Sequence, residues 1–67
     1  MGILKVVEIL ASSKTSWEEA AQNAVAETGK TVRDIRSVNV SNHSAVVVDG
    51  KISEYRLNCK VTFSVER

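Results

Sequence analysis

One cysteine and one histidine, Cys59 and His43, are all the thiol and imidazole that this chain of 67 residues offers. A disulfide within the chain is therefore excluded. A structural zinc site is excluded too, since it takes a full tetrahedral set of N and S ligands. Neither sign of charge is in excess: Lys and Arg number 9, Asp and Glu 8, for a net charge of +1. The basic footprint of a nucleic-acid binder is missing, as are the interleaved aromatics of a base-stacking platform. No apolar run approaches the roughly 20 residues that a bilayer-spanning helix needs. Met1 to Leu10 is broken by Lys5 and Glu8 and precedes no cleavage signal, which argues against a secretory leader. The expected setting is a reducing cytoplasm, where a lone buried cysteine is at home, with neither nucleic acid nor membrane as partner. No catalytic triad, paired carboxylate site or phosphate loop is present, so an enzyme is not expected. No repeat, linker or low-complexity tract divides the chain, and residues 1–67 read as one domain. A domain this small buries only roughly 60% of the surface its unfolded chain exposes. With disulfide and zinc excluded, association with further copies is the expected source of added stability.

What is present is one long alternation. In Ile52 to Val65, the apolar Tyr55, Leu57, Cys59, Val61, Phe63 and Val65 alternate with Glu54, Arg56, Asn58, Lys60, Thr62 and Ser64. No glycine or proline interrupts it, which predicts a strand with one apolar and one wet face. Ile3 to Leu10 is β-branched and apolar and predicts a first strand, with Lys5 and Glu8 suited to an edge. Ala11 to Thr15 reads as a polar connector. Ser16-Trp17-Glu18-Glu19 is a capping box, the Ser hydroxyl accepting one free N–H and the Glu carboxylate reaching back for another. The helix it opens is predicted over Trp17 to about Lys30, with Gly29 as a stop signal. Trp17, Ala20, Ala21, Ala24, Val25 and Thr28 form its apolar stripe. Asp34 to Val48 predicts a second strand, with a bulge or bend in Ser41 to Ser44. Asp49-Gly50 is a type I′ hairpin signal that joins it to the C-terminal strand. The predicted class is α+β, in the order β-α-β-β. A three-stranded antiparallel sheet, order 1-3-2, wraps around one helix, and one sheet face is left without a cover.

That order, the length and four segments resemble the dodecins. The segments are KVVEILASS, TSWEEAAQNAVA, TVRDIRSVNV and EYRLNCKVTFSVE, and they span nearly the whole chain. The resemblance implies a homododecamer, a hollow shell of twelve copies, that binds and stores a small ligand, with flavin (FMN or riboflavin) as the family's typical cargo. In flavin-binding members a Trp on the second strand stacks on the ring and a Gln on the third bonds its edge. Those positions here are Ser37 and Arg56. Ser37 cannot stack, and Arg56 only donates. In its S-W-E-E helix start and D-I-R segment the chain also resembles a branch that lacks this Trp and binds calcium.

The ligand-binding candidates are Ser37, Val38, Asn39, Arg56 and Asn58. Arg56 with Lys60 suits a phosphate or carboxylate. The metal-binding candidates are Glu8, Asp34, Asp49 and Glu54, carboxylates expected to gather at strand ends or symmetry axes, since calcium accepts oxygens from different chains. A shell without a specific ligand is the remaining expectation, with the same residues serving as contacts between copies. Cys59 reads as a core residue, His43 as a surface or turn residue, and Trp17 as packing.

Overall fold

A computed structural model of the chain describes residues 2–65. Its elements are β1 (Leu4–Ser13), α1 (Trp17–Thr28), β2 (Ile35–Val48) and β3 (Lys51–Ser64). The sheet is antiparallel with β3 in the middle, order β1-β3-β2, as the sequence predicts. Asp49 and Gly50 turn the hairpin with φ of 51° and 74°. Both central residues therefore sit in the left-handed region that a type I′ turn needs.

Six boundaries differ from expectation. β1 begins at Leu4 and β2 at Ile35, each one residue late. β1 runs on to Ser13, so the presumed connector is strand, and its Ala11 and Ser13 are buried. The helix ends at Thr28, two residues short of Lys30. Gly29 follows it in right-handed geometry, φ −63°, and the chain tightens through Thr31 and Val32 amides that both reach the Thr28 carbonyl. The left-handed residue of this corner is Asp34, φ 63°. β3 begins and ends one residue early, Lys51 to Ser64 rather than Ile52 to Val65.

The start of α1 is also built differently. The Ser16 hydroxyl accepts from the Glu19 amide at 3.0 Å, as a capping box requires. The Glu19 carboxylate, however, does not return to the Ser16 amide. It accepts from the Ser13 hydroxyl, whose oxygen in turn accepts from the Thr15 amide at 2.9 Å and the Ser16 amide at 3.3 Å. One buried serine at the end of β1 thus closes the box by relay.

The core lies between α1 and the sheet. Ala20 and Ala24 are essentially inaccessible, and their small side chains let the helix approach Leu57, Cys59 and Ala11 closely, with Ile9, Trp17, Ala21, Val38 and Val40 around them. Burying these apolar groups is the main favourable term for the fold.

Three bulges set the register. Arg36 is the extra residue between Ile35 and Ser37, Ser41 between Val40 and Asn42, and Ser53 lies opposite the step from Val46 to Val47. Two of them are stitched across the ladder: the Ser41 hydroxyl donates to the Asn58 carbonyl and the Ser53 hydroxyl to the Val46 carbonyl, each at 3.3 Å.

Candidate functional site

The pairing register assigns every strand residue to a face. Lys5, Val7, Ile9, Ala11 and Ser13 of β1 stand opposite Phe63, Val61, Cys59, Leu57 and Tyr55, and this face carries the helix. The outer face joins Leu4, Val6, Glu8, Leu10 and Ser12 to Ser64, Thr62, Lys60, Asn58 and Arg56. On the far side of β3, Thr62, Lys60, Asn58, Arg56 and Glu54 of the same face meet Ser37, Asn39, Asn42, Ser44 and Val46. The outer face is therefore polar over β3 and β2 and apolar over β1, where Leu4, Val6 and Leu10 are more than half exposed.

Of the five ligand candidates, Ser37, Asn39, Arg56 and Asn58 share this outer face. Val38 does not: it packs on the helix-side core, because alternation sends it the opposite way from its two neighbours. Arg56 and Lys60 share the face, four residues or about 13 Å apart along one strand. The Arg56 Nε donates to Glu54 Oε1 at 3.4 Å.

The four carboxylates do not gather within one copy. Asp49 sits in the hairpin turn and Asp34 at the opposite end of β2, along a molecule 50 Å in its longest dimension. Glu8 is level with Lys60 on β3, six residues or about 20 Å along the strand from Glu54. Among the described residues no three of His, Cys, Asp and Glu form a metal-sized cluster. Asp34 is paired with Arg36 at 3.2 Å and Glu54 with Arg56, whereas Glu8 and Asp49 enter no ion pair among the described residues.

All three aromatic residues are on the helix side. Trp17 meets Tyr55 edge-on at 4.8 Å between ring centroids and His43 at 5.7 Å. Its indole N–H donates to the Ser44 carbonyl at 3.1 Å. His43 is thus an exposed strand residue beside Trp17, on the surface as expected but not in a turn. The Ser41 bulge sets its direction, since the extra residue swings His43 to the helix side and Asn42 and Ser44 outward. Phe63 lies level with Lys5 and Ile35 on the helix face. Cys59 is fully buried, and that burial pushes its thiol up from the ordinary value, which suits an inert core thiol rather than a nucleophile.

A cleft of about 590 Å³ opens at the end of the molecule where α1 stops, lined by Thr31, Val32, Arg33, Asp34, Phe63, Ser64 and Val65. Of the sequence candidates only Asp34 lines it. Sequence reasoning also missed Ser12, Asn42 and Ser44 on the outer face. The first was hidden in an apparent connector, and the other two change face at a bulge that one sequence does not locate to the residue.

Comparison with known proteins gives a family and two kinds of relative. The Dodecin family model matches residues 3–66. Over 66 residues the chain is 41% identical to the calcium dodecin of Mycobacterium tuberculosis, covering 97% of this chain and 92% of that protein. A crystal structure of calcium dodecin from that organism, described as a calcium-chelating antigen with a novel calcium-binding site, matches at 38% identity and a TM-score of 0.82, covering 96% and 91% of the two chains. A variant of the Thermus thermophilus dodecin matches at 27% identity and a TM-score of 0.93, covering both chains in full. Sequence and backbone thus lean towards different relatives. The backbone speaks for the shared fold, and the side chains, which decide the ligand, are more similar to the first.

Proposed function

Because the chain belongs to the dodecin family, we propose that it assembles into a shell of twelve copies that binds and buffers a small ligand, and that this ligand is calcium rather than a flavin. The observation that carries this reading is the place of the aromatic rings. The chain has one Trp, one Tyr and one Phe. Trp17 and Tyr55 pack against each other under the helix end, and Phe63 shares their sheet face. The outer face, where Ser37 and Arg56 stand, offers no ring to stack on. Ring stacking is worth about 1–3 kcal/mol per aromatic partner, and losing two symmetry-related partners removes much of a micromolar affinity.

Two features support assembly. The apolar stripe of Leu4, Val6 and Leu10 on the outer face, and Val47, Val48 and Ile52 on the projecting hairpin, are all half exposed or more, and uncovered apolar surface of this kind marks an interface. Assembly also answers the scattering of the carboxylates. Calcium takes about 6–8 oxygens, which one copy does not gather among the described residues, so in this reading the ligands come from more than one copy. Of the four candidate carboxylates, Glu8 and Asp49 enter no ion pair among the described residues. The similarity to calcium dodecin favours the same ion.

The test is thermal unfolding of chelator-treated protein with and without added calcium. A ligand held only by the folded assembly raises the melting temperature with its concentration, by mass action. A calcium-dependent rise reversed by chelator supports the reading. An unchanged melting temperature across millimolar calcium, with saturable quenching of added riboflavin, contradicts it.

A further inference from the structure

One row of the outer face is fixed from behind in a way that no other row is among the described residues. Arg56 stands level with Ser12 on one neighbouring strand and Ser44 on the other, so the three residues lie side by side at strand spacings of about 4.8 Å. Both serine carbonyls are held by α1. Asn23 Nδ2 donates to the Ser12 carbonyl and Trp17 Nε1 to the Ser44 carbonyl, each at 3.1 Å. The helix therefore pins both outer strands at this level. The two hydroxyls point away from the helix, are exposed, and make no hydrogen bond of their own among the described residues. Arg56 is held too: Glu54 Oε1 accepts from its Nε. That contact orients the guanidinium while leaving Nη1 and Nη2 without a partner among the described residues.

We propose that Ser12, Arg56 and Ser44 form a binding site for an oxyanion, the phosphate or carboxylate group of a small molecule. A guanidinium edge and flanking hydroxyls are donors suited to phosphate and carboxylate oxygens, and the strand register sets all three side by side on one face. The site holds a charge opposite to that of a cation and does not depend on the calcium reading. Glu54 plays two parts in it, orienting Arg56 and opposing an incoming anion by like charge.

The experiment titrates the assembled, full-length protein with inorganic phosphate and, separately, with succinate, in constant chloride. Binding is read by calorimetry and by emission of Trp17, the only tryptophan, which bonds directly to the Ser44 backbone. Saturable binding is expected, weakened about tenfold or more by Arg56→Gln and by Ser12→Ala with Ser44→Ala, and tightened by Glu54→Gln. Binding of phosphate alone assigns the site to phosphate groups, and binding of succinate alone to carboxylates. Absence of saturable binding for both anions overturns the site, as does an affinity that Arg56→Gln leaves unchanged. Native mass is measured on every variant. Should Arg56→Gln fail to assemble, the serine double variant decides, and full retention of binding counts against the row.

Discussion

The Ser13 hydroxyl donates to the Glu19 carboxylate, so the last residue of β1 is bonded to the first turn of α1. The same oxygen accepts from two amides of the intervening turn. Ser13→Ala leaves those amides and the carboxylate short of a partner in a part-buried site, at a cost of about 1–3 kcal/mol. Ser16→Ala removes a single cap, at about 1 kcal/mol. Urea unfolding of both variants gives the order. A Ser13→Ala variant less affected than Ser16→Ala would show that the relay is not what joins strand to helix.

Ala24 permits the close approach of α1 to the sheet, being 1% exposed against Leu57 and Cys59. Ala24→Leu forces extra volume into a filled space and is expected to lower stability by about 1–3 kcal/mol. Ala26→Leu on the exposed side of the same helix should change it by no more than about 0.5 kcal/mol. Equal effects in the two variants would contradict a tight helix–sheet seam.

Much of this fold is readable from the residues, and the exceptions have physical causes. The alternation of β3 gives its faces because a pleated strand has no other way to place them. Asp49-Gly50 gives the hairpin because few residue pairs accept two positive φ angles. Ser13 was hidden because a small polar residue at a strand end looks like a loop until its partners are known. The faces of Asn42 and Ser44 were not legible because the Ser41 bulge shifts the pairing register, whereas His43 is exposed, as a surface residue should be. Of the candidate site, Ser37, Asn39, Arg56 and Asn58 were correctly expected to share one face, whereas the spread of the four carboxylates depends on where the strands end.

Cys59 links stability to pH. An unfolded thiol loses its proton near pH 8.5, roughly, and burial raises that value in the folded chain. Above about pH 8.5 the unfolded chain releases a proton that the folded chain retains, so stability falls as pH rises, by up to about 1.4 kcal/mol per unit. Below that pH the thiol is protonated in both states and contributes no slope. Urea midpoints between neutral and alkaline pH check this. Cys59→Ala should remove that component of the slope, and a slope unchanged by the substitution would contradict it.

Leu10 is 63% exposed on the outer face, level with Asn58. If the apolar stripe of β1 is covered by another copy, Leu10→Glu buries a charge at that contact and shifts native mass towards smaller species. Its far-ultraviolet circular dichroism should remain that of the folded chain. An unchanged mass would place Leu10 outside the interface.

The choice between cation and flavin is tested most directly by parallel titrations of one metal-free preparation, with calcium followed by calorimetry and with FMN followed by fluorescence, while native mass confirms a twelve-copy assembly. Saturable calcium heat, diminished by Glu8→Gln or Asp49→Asn, with FMN emission unchanged, is the predicted result. Micromolar FMN quenching with no calcium heat would contradict it, and would mean that the outer face around Ser37 and Arg56 holds the flavin ring without an aromatic partner.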